Sequence, residues 1–246
     1  MEAIDLYNSI FKRKSVRRYE NGPLDENTIT KITDYMATVK PLYDNIKTEL
    51  KILPANSVHG QFGVKAPHYL AIFSEEKESY LQNAGFILQQ IDLYLSANSI
   101  GSCWLGLSKP SKQYINSSKL SFVITLAFGK PSEQLHRSGV EEFKRVPLER
   151  IRDADGMDDL LGPARLAPSA ANSQNWFFTG GGGRINVFVG KASIMNRWSL
   201  LDGGIAICHI WVATKHQGKN FEVLTDQEAM KNPPRGKIYL ATLKVS

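Results

Sequence analysis

Cysteine is scarce in this sequence. Cys103 and Cys208 stand alone in apolar surroundings among 246 residues, with no C-x-x-C pair. That excludes a disulfide framework and a paired-thiol zinc or redox motif, and reads as buried free thiols in a reducing compartment. Long apolar runs are absent as well: no stretch reaches the roughly 18 residues that a membrane-crossing helix needs. The opening Met-Glu-Ala-Ile-Asp lacks the basic and apolar regions of a secretory signal. The expectation is a cytoplasmic protein with no membrane partner. The five histidines fall into no ligand spacing such as H-E-x-x-H, so no metal is expected. Neither a G-x-S-x-G elbow nor a P-loop occurs. The run from Gly180 to Gly183 imitates a phosphate loop in composition only, since it precedes a strand rather than a helix. With 42% apolar and 22% charged residues the chain is an ordinary folding sequence, long enough for one large domain or two small ones.

What is present begins with charge. The net charge of +6 is spread along the chain, apart from one dense cluster, Lys12-Arg13-Lys14 with Arg17-Arg18. No RNA-binding aromatic box or helix-turn-helix cue accompanies it, so a phosphate-bearing small molecule explains the cluster better than nucleic acid does. Within it, Arg13-Lys14-Ser15-Val16-Arg17-Arg18 sets four cations and a hydroxyl in six residues. Guanidinium forks match phosphate oxygens bidentately, which suits anion binding. A solvated helix end, where cations favour the negative pole of the helix, accounts for the same composition.

A second informative stretch lies far downstream. Residues 165–178 read Arg-Leu-Ala-Pro-Ser-Ala-Ala-Asn-Ser-Gln-Asn-Trp-Phe-Phe. Pro168 turns the preceding residue away from helix. Ser169, Asn172, Ser173 and Gln174 then place hydroxyls and amides at the end of an apolar element, before a strand that opens at Trp176. Such a set can hydrogen-bond a flat polar heterocycle, or can simply form a polar turn.

Hydrophobic periodicity predicts alternating helices and strands. Helices are expected over Ala3 to Lys12, Asp25 to Val39, Ala84 to Leu95 (ending at Gly101), Met157 to Leu166, and from Ser193 or Asp202 to Gln217. The last is apolar nearly all round, as a buried helix is. Strands are expected over Ile46 to Leu53, Pro67 to Phe73, Leu120 to Phe128, Trp176 to Thr179, Arg184 to Val189 and Gly236 to Val245, with the tetraglycine as a turn. The order helix, strand, strand, helix, strand recurs with a shift of about 110–120 residues, which reads as an internal duplication. The expected halves are residues 1–134 and 135–246.

Together the basic R-x-S-x-R stretch after the first helix and the Pro-Ser-Ala-Ala-Asn-Ser-Gln stretch between helix and strand resemble the signatures of the nitroreductase-like flavoprotein superfamily. The resemblance implies an α+β fold, three-layer α/β/α with mainly antiparallel sheets, here internally duplicated so that one polypeptide imitates the family's homodimer. It implies FMN as cofactor, with one composite flavin site per chain. The basic stretch would contribute Arg13, Lys14, Ser15 and Arg17 from the first half. The second half would contribute Pro168, Ser169, Ala170, Asn172 and Gln174. Two weaker similarities extend this. Phe143-Lys144-Arg145-Val146-Pro147-Leu148-Glu149 resembles a family segment near the flavin phosphate, pointing to Lys144 and Arg145; a basic linker is the alternative. Gly101-Ser102-Cys103-Trp104-Leu105-Gly106-Leu107 resembles a family loop that runs close to the flavin ring, pointing to Leu105 and Gly106; there the alternative is a helix cap and buried turn, with Trp104 filling core. Asn175 departs from the family's usual proline, and much of the helical insertion of larger members is missing.

The implied activity is an NAD(P)H oxidoreductase. NADH or NADPH would reduce the flavin, and a small electron-poor acceptor such as a nitroaromatic or quinone would replace it in a ping-pong scheme. No dedicated protein acid or base is needed, so no catalytic side chain is nominated. A non-catalytic flavin-binding or flavin-sequestering protein would keep the same site. The chain would be a monomeric pseudo-dimer or a homodimer.

Overall fold

A computed structural model describes residues 6–60, 64–191 and 196–246. The helix start expected at Ala3, and the alternative start at Ser193, lie outside the described residues. The chain divides into two compact units: Met1–Tyr80 with Ile87–Val140, and Leu81–Phe86 with Glu141–Ser246.

The first unit contains helices α1 (Leu6–Ile10) and α2 (Glu26–Met36), strands β1 (Thr48–Pro54), β2 (Val58–Gly60) and β3 (His68–Ser74), and most of helix α3 (Tyr80–Ala97). Strands β4 (Gly101–Leu105) and β5 (Ser108–Pro110), helix α4 (Lys112–Ile115) and strand β6 (Ser121–Gly129) follow. Asp25 starts α2 by accepting the Thr28 amide at 2.9 Å, a side-chain N-cap that satisfies an otherwise orphaned donor. The main sheet is antiparallel in the order β1-β3-β6-β4, with Leu50 opposite Ile72 and Cys103 opposite Ala127. Leu53, Tyr69, Ala71, Phe73, Cys103, Leu105 and Ala127 form one buried cluster on it.

The second unit contains strand β7 (Arg152–Ala154), helix α5 (Asp158–Arg165), strands β8 (Trp176–Gly181) and β9 (Arg184–Gly190), and helix α6 (Asn196–His216). Strand β10 (Phe221–Leu224), helix α7 (Gln227–Lys231) and strand β11 (Lys237–Val245) close it. Its sheet runs β10-β11-β9-β8-β7, antiparallel except where β7 lies parallel to β8. Within each unit, the four antiparallel strands, taken in chain order, line up as first, second, fourth, third. A long buried helix separates the second from the third: α3 in one unit, α6 in the other. The expected order of helix, strand, strand, helix, strand thus occurs in both units, interrupted by the short strands β2, β4 and β5 in the first and, before the closing strand, by β10 in the second, where β7 precedes the pattern.

Both long helices are buried almost all round, Leu81 to Ser96 in α3 and Leu201 to Ile210 in α6. Inside the second unit the first turns of α3 meet α6 backbone to backbone. A Cβ on Gly85 would overlap the Leu201 carbonyl oxygen, and one on Gly204 the Gln82 carbonyl oxygen. Glycine is needed there for proximity rather than for conformational freedom.

Several local expectations change. Gly101 does not end α3, which stops at Ala97 with Asn98 as its cap; Gly101 opens β4. It is glycine because a side chain would strike Val16, whose Cγ1 lies 2.7 Å from the Cβ position. The segment read as a loop over 101–107 is thus a strand and a two-residue turn, and Trp104 is only half-buried while Cys103 and Leu105 fill core. The tetraglycine contributes Gly180 and Gly181 to β8, and the turn itself is Gly182-Gly183, both at positive φ. Strands β2, β5, β7 and β10 and helices α4 and α7 are too short to impose a periodic signal on the sequence. Among the described residues no helix is long and apolar enough to cross a membrane.

Candidate functional site

In the first unit, residues 13–19 run extended beside β4. Ser15 bridges Ser102 in parallel register, and the Val16 amide donates to the Ser102 carbonyl at 2.8 Å. Val16 is fully buried, so the segment's two flanks must point differently. Arg13 turns inward and is 1% exposed. Its Nε lies 2.9 Å from Asp92 Oδ2 of α3, an ion pair that is not aligned as a hydrogen bond, and its Nη2 reaches Ser15 Oγ at 3.3 Å. Ser102 Oγ donates to the other Asp92 oxygen at 2.5 Å. The Arg13 carbonyl accepts from the Arg137 guanidinium.

Arg17 and Arg18 point outward and are exposed. Their backbone amides donate to Glu133 Oε1 at 2.6 and 3.2 Å, which holds that carboxyl below the usual carboxylate range. Lys14 is half-buried, its Nζ 3.1 Å from the Gln134 carbonyl. Tyr19 donates its phenol to the Val16 carbonyl at 2.7 Å, and burial pushes its pKa up, so it stays a donor. The cationic run read as one cluster therefore divides. Arg13 is internal and already paired, whereas Arg17 and its neighbour Arg18 present guanidinium groups to solvent from a pinned backbone. Cys103 lies beneath; burial raises its thiol pKa against the opposing pull of Arg17 and Arg13, so it is no nucleophile. Leu105 points into the core cluster, and Gly106 is exposed in the turn after it.

In the second unit, the sequence segments around Lys144-Arg145 and Ser169–Gln174 come together. Asn172 Oδ1 accepts from Arg145, and Asn172 Nδ2 donates to the Lys144 carbonyl at 3.2 Å. Gln174 is buried; its Oε1 accepts the Val146 amide at 2.9 Å and its Nε2 donates to the Asn172 carbonyl at 3.1 Å. The Gln174 amide donates to Ser169 Oγ at 3.0 Å, and Arg145 also donates to the Leu166 carbonyl at 3.2 Å. Pro168 is buried at the base, and Lys144 and Asn172 are exposed.

This cluster is conformationally strained. Lys144, Ala171, Asn172 and Gln174 take φ of 51°, 50°, 57° and 50°, and they are the non-glycine residues of the second unit found at positive φ among those described. Left-handed backbone costs a non-glycine residue roughly 1–2 kcal/mol. All of that cost falls in the two segments singled out by sequence, held there by side chains of the same segments. Strain of this kind concentrates at sites that need fixed donors and acceptors.

Two residues that sequence reasoning passed over support these segments. Asp92 anchors Arg13 and Ser102. Asp202, on α6, accepts the Ala170 amide with both oxygens, at 3.2 and 3.0 Å, and bonds Ser173; it is 3% exposed. Each was signalled by a lone acid within an otherwise apolar helical run, Ile91-Asp92-Leu93 and Leu201-Asp202-Gly203. His209, on the same buried helix, meets the Pro163 carbonyl through Nδ1 at 2.9 Å, a satisfied core histidine.

The sequence profile of a family described as "Putative TM nitroreductase" matches residues 5–214. The chain belongs to this nitroreductase family. A Thermotoga maritima structure described as a "putative nitroreductase" superposes with a TM-score of 0.68 at 20% identity, covering 98% of this chain and 93% of that one. The likeness establishes the fold, a mixed helix and strand architecture with mostly antiparallel sheets. A nitroreductase family protein of Clostridium difficile 630 covers 61% of this chain and 96% of its own, at 16% identity and a TM-score of 0.47. An FMN-dependent nitroreductase of Clostridium difficile R20291 covers 59% and 98%, at 17% identity and a TM-score of 0.43. No curated protein sequence matches at a significant level.

Proposed function

We propose that the chain is an FMN-dependent oxidoreductase that accepts reducing equivalents from NADH or NADPH and delivers them to a small electron-poor acceptor, a nitroaromatic or a quinone, in a ping-pong cycle. The observation that carries this reading is the strained, cross-linked polar cluster of Lys144-Arg145 and Ser169–Gln174 in a member of the nitroreductase family. Four non-glycine residues in left-handed backbone within one cluster is strain of the kind that gathers at ligand sites.

The donor set fits the cofactor. FMN ends in a phosphate that is close to a dianion at neutral pH, and Arg17, Lys14 and Ser15 are the candidate partners for it. With the backbone already pinned, binding a phosphate costs only the ordering of the side chain, about 0.5–1.5 kcal/mol. Arg13, held by Asp92, is proposed to fix the backbone that carries them. Pro168, Ser169, Ala170, Asn172 and Gln174 are the candidate contacts to the polar edge of the ring system. Lys144 and Arg145 are candidate cations near phosphate or ring carbonyl, and Leu105 and Gly106 candidate neighbours of the ring. FMN, when bound, supplies the two-electron chemistry, and the protein contributes grip, orientation and electrostatics.

The freshly purified chain should be yellow, with about one flavin per polypeptide by its visible spectrum. Anaerobic NADH or NADPH should bleach it, and nitrofurazone or a quinone should restore the colour. Retained colour without bleaching would instead identify a flavin-sequestering protein; a colourless protein that takes up no added FMN would overturn the reading. Arg17→Ala should fold normally and weaken FMN binding about 10–100-fold, the worth of a charge-assisted bond of roughly 1.5–3 kcal/mol. Titration of flavin fluorescence measures it, and an unchanged Kd would remove Arg17 from the phosphate site.

A further inference from the structure

Asp202 takes no part in the redox scheme, yet it touches the strained segment directly. It sits one turn and a half into α6, 3% exposed, with its carboxyl against the Ala170 amide and Ser173. Ala170 opens the short 3-10 turn that carries Ala171 and Asn172 at positive φ. Left to itself, such a segment relaxes toward right-handed or extended backbone. Something must offset its strain from below, and Asp202 is the ionisable group placed to do it.

We infer that Asp202 is the positioning residue of the 169–174 segment: its carboxylate clamps the Ala170 amide and the Ser173 hydroxyl, and thereby keeps the segment in its left-handed form for FMN. The inference rests on the cofactor reading above. An ionised acceptor binds two donors more strongly than a neutral acid does.

The clamp carries a pH signature. Burial raises the Asp202 pKa from 3.8 to about 7, with the Ala170 amide and Ser173 opposing. The charged and titratable groups around it are otherwise engaged. Arg145 is bound to Asn172 and the Leu166 carbonyl, Arg197 lies over the Trp198 ring, and His209 meets the Pro163 carbonyl. None of these is among the groups acting on the Asp202 carboxyl. The folded chain keeps a proton that the unfolded chain releases, so stability falls as pH rises from 3.8 to about 7. Ionisation therefore weakens the fold while it strengthens the clamp.

Asp202→Asn separates the two effects. At pH 8 the variant should be more stable to urea than the parent, because no charge need be buried. Its Ala170 amide should nevertheless exchange with deuterium at least tenfold faster, and its Kd for FMN should rise about tenfold. Between pH 8 and pH 6 the parent should lose FMN affinity more steeply than the variant; the FMN phosphate titrates equally in both and cancels. A residue that merely fills space would move stability and exchange in the same direction. Equal exchange at Ala170 in the two proteins, or identical Kd and pH profile, would overturn the inference. If the parent binds no FMN at all, the cofactor reading fails separately, and the exchange measurement still decides whether the clamp exists.

Discussion

Asp92→Ala should lower the unfolding free energy by about 3–5 kcal/mol, the usual penalty for stranding one partner of a buried ion pair. The Asp92 side chain is 0% exposed and that of Arg13 is 2% exposed. Removing the carboxylate leaves the guanidinium without its counter-charge in a medium that cannot solvate it, and strips Ser102 of its acceptor. Arg13→Ala should cost a similar amount, since it strands the carboxylate instead. The joint change Asp92→Leu with Arg13→Met should recover most of the loss, because apolar residues of similar volume avoid the desolvation penalty altogether. Glu20→Ala provides the contrast. Its partner Lys130 is largely exposed, and breaking a surface pair of that kind costs about 0–1 kcal/mol. Urea midpoints at constant m-value measure all four. The consequence for function is practical: loss of flavin from an Arg13→Ala protein reports on folding, whereas Arg17→Ala reports on the ligand.

How far the sequence reaches can be seen at these residues. Long apolar helices and strands announce themselves through periodicity, so α2, α3, β1, β3, β6, β8, β9 and β11 follow from side-chain pattern alone. Three-residue strands such as β2 and β7 carry no period, and their existence depends on partners distant in sequence. The basic run illustrates a different limit. Composition shows that Arg13, Lys14, Arg17 and Arg18 are cationic, but only the register of an extended segment against β4 decides that Arg13 faces Asp92 while Arg17 faces solvent. Likewise the amide stretch is legible as hydrogen-bonding material. Its left-handed backbone, and the Arg145–Asn172 and Gln174–Val146 bonds that hold it, come from tertiary packing across 27 and 28 residues of sequence. The acids on α3 and α6 were visible as exceptions to an apolar pattern. An acid in a buried helix requires a partner, so both positions pointed to a supporting contact, but which group answers, the Arg13 guanidinium or the Ala170 amide, is set by tertiary packing.

The same substitution, glycine to alanine, should differ sharply in cost between two helical positions of the second unit. At Gly204 the added methyl would occupy the space of the Gln82 carbonyl oxygen and crowd the Gln82 carbonyl carbon and Cα. These are backbone atoms inside a buried helix, so the clash cannot be relieved by a rotamer change; the helices must separate. The expected loss is at least about 3 kcal/mol, the upper end for overpacked cores. At Gly162 in α5 a Cβ meets nothing within 4 Å outside its chain neighbours and its own helix backbone. There the roughly 1 kcal/mol that alanine gains over glycine in a helix interior is opposed by Pro163, whose ring disfavours helical backbone at a preceding residue that carries a Cβ, so the net change should stay within about 1 kcal/mol of zero. Thermal or urea unfolding of the two single variants against the parent measures the pair. A stable Gly204→Ala protein would show that α3 and α6 do not pack through their backbones, and the buried seat of Asp202 on α6 would then need a different explanation.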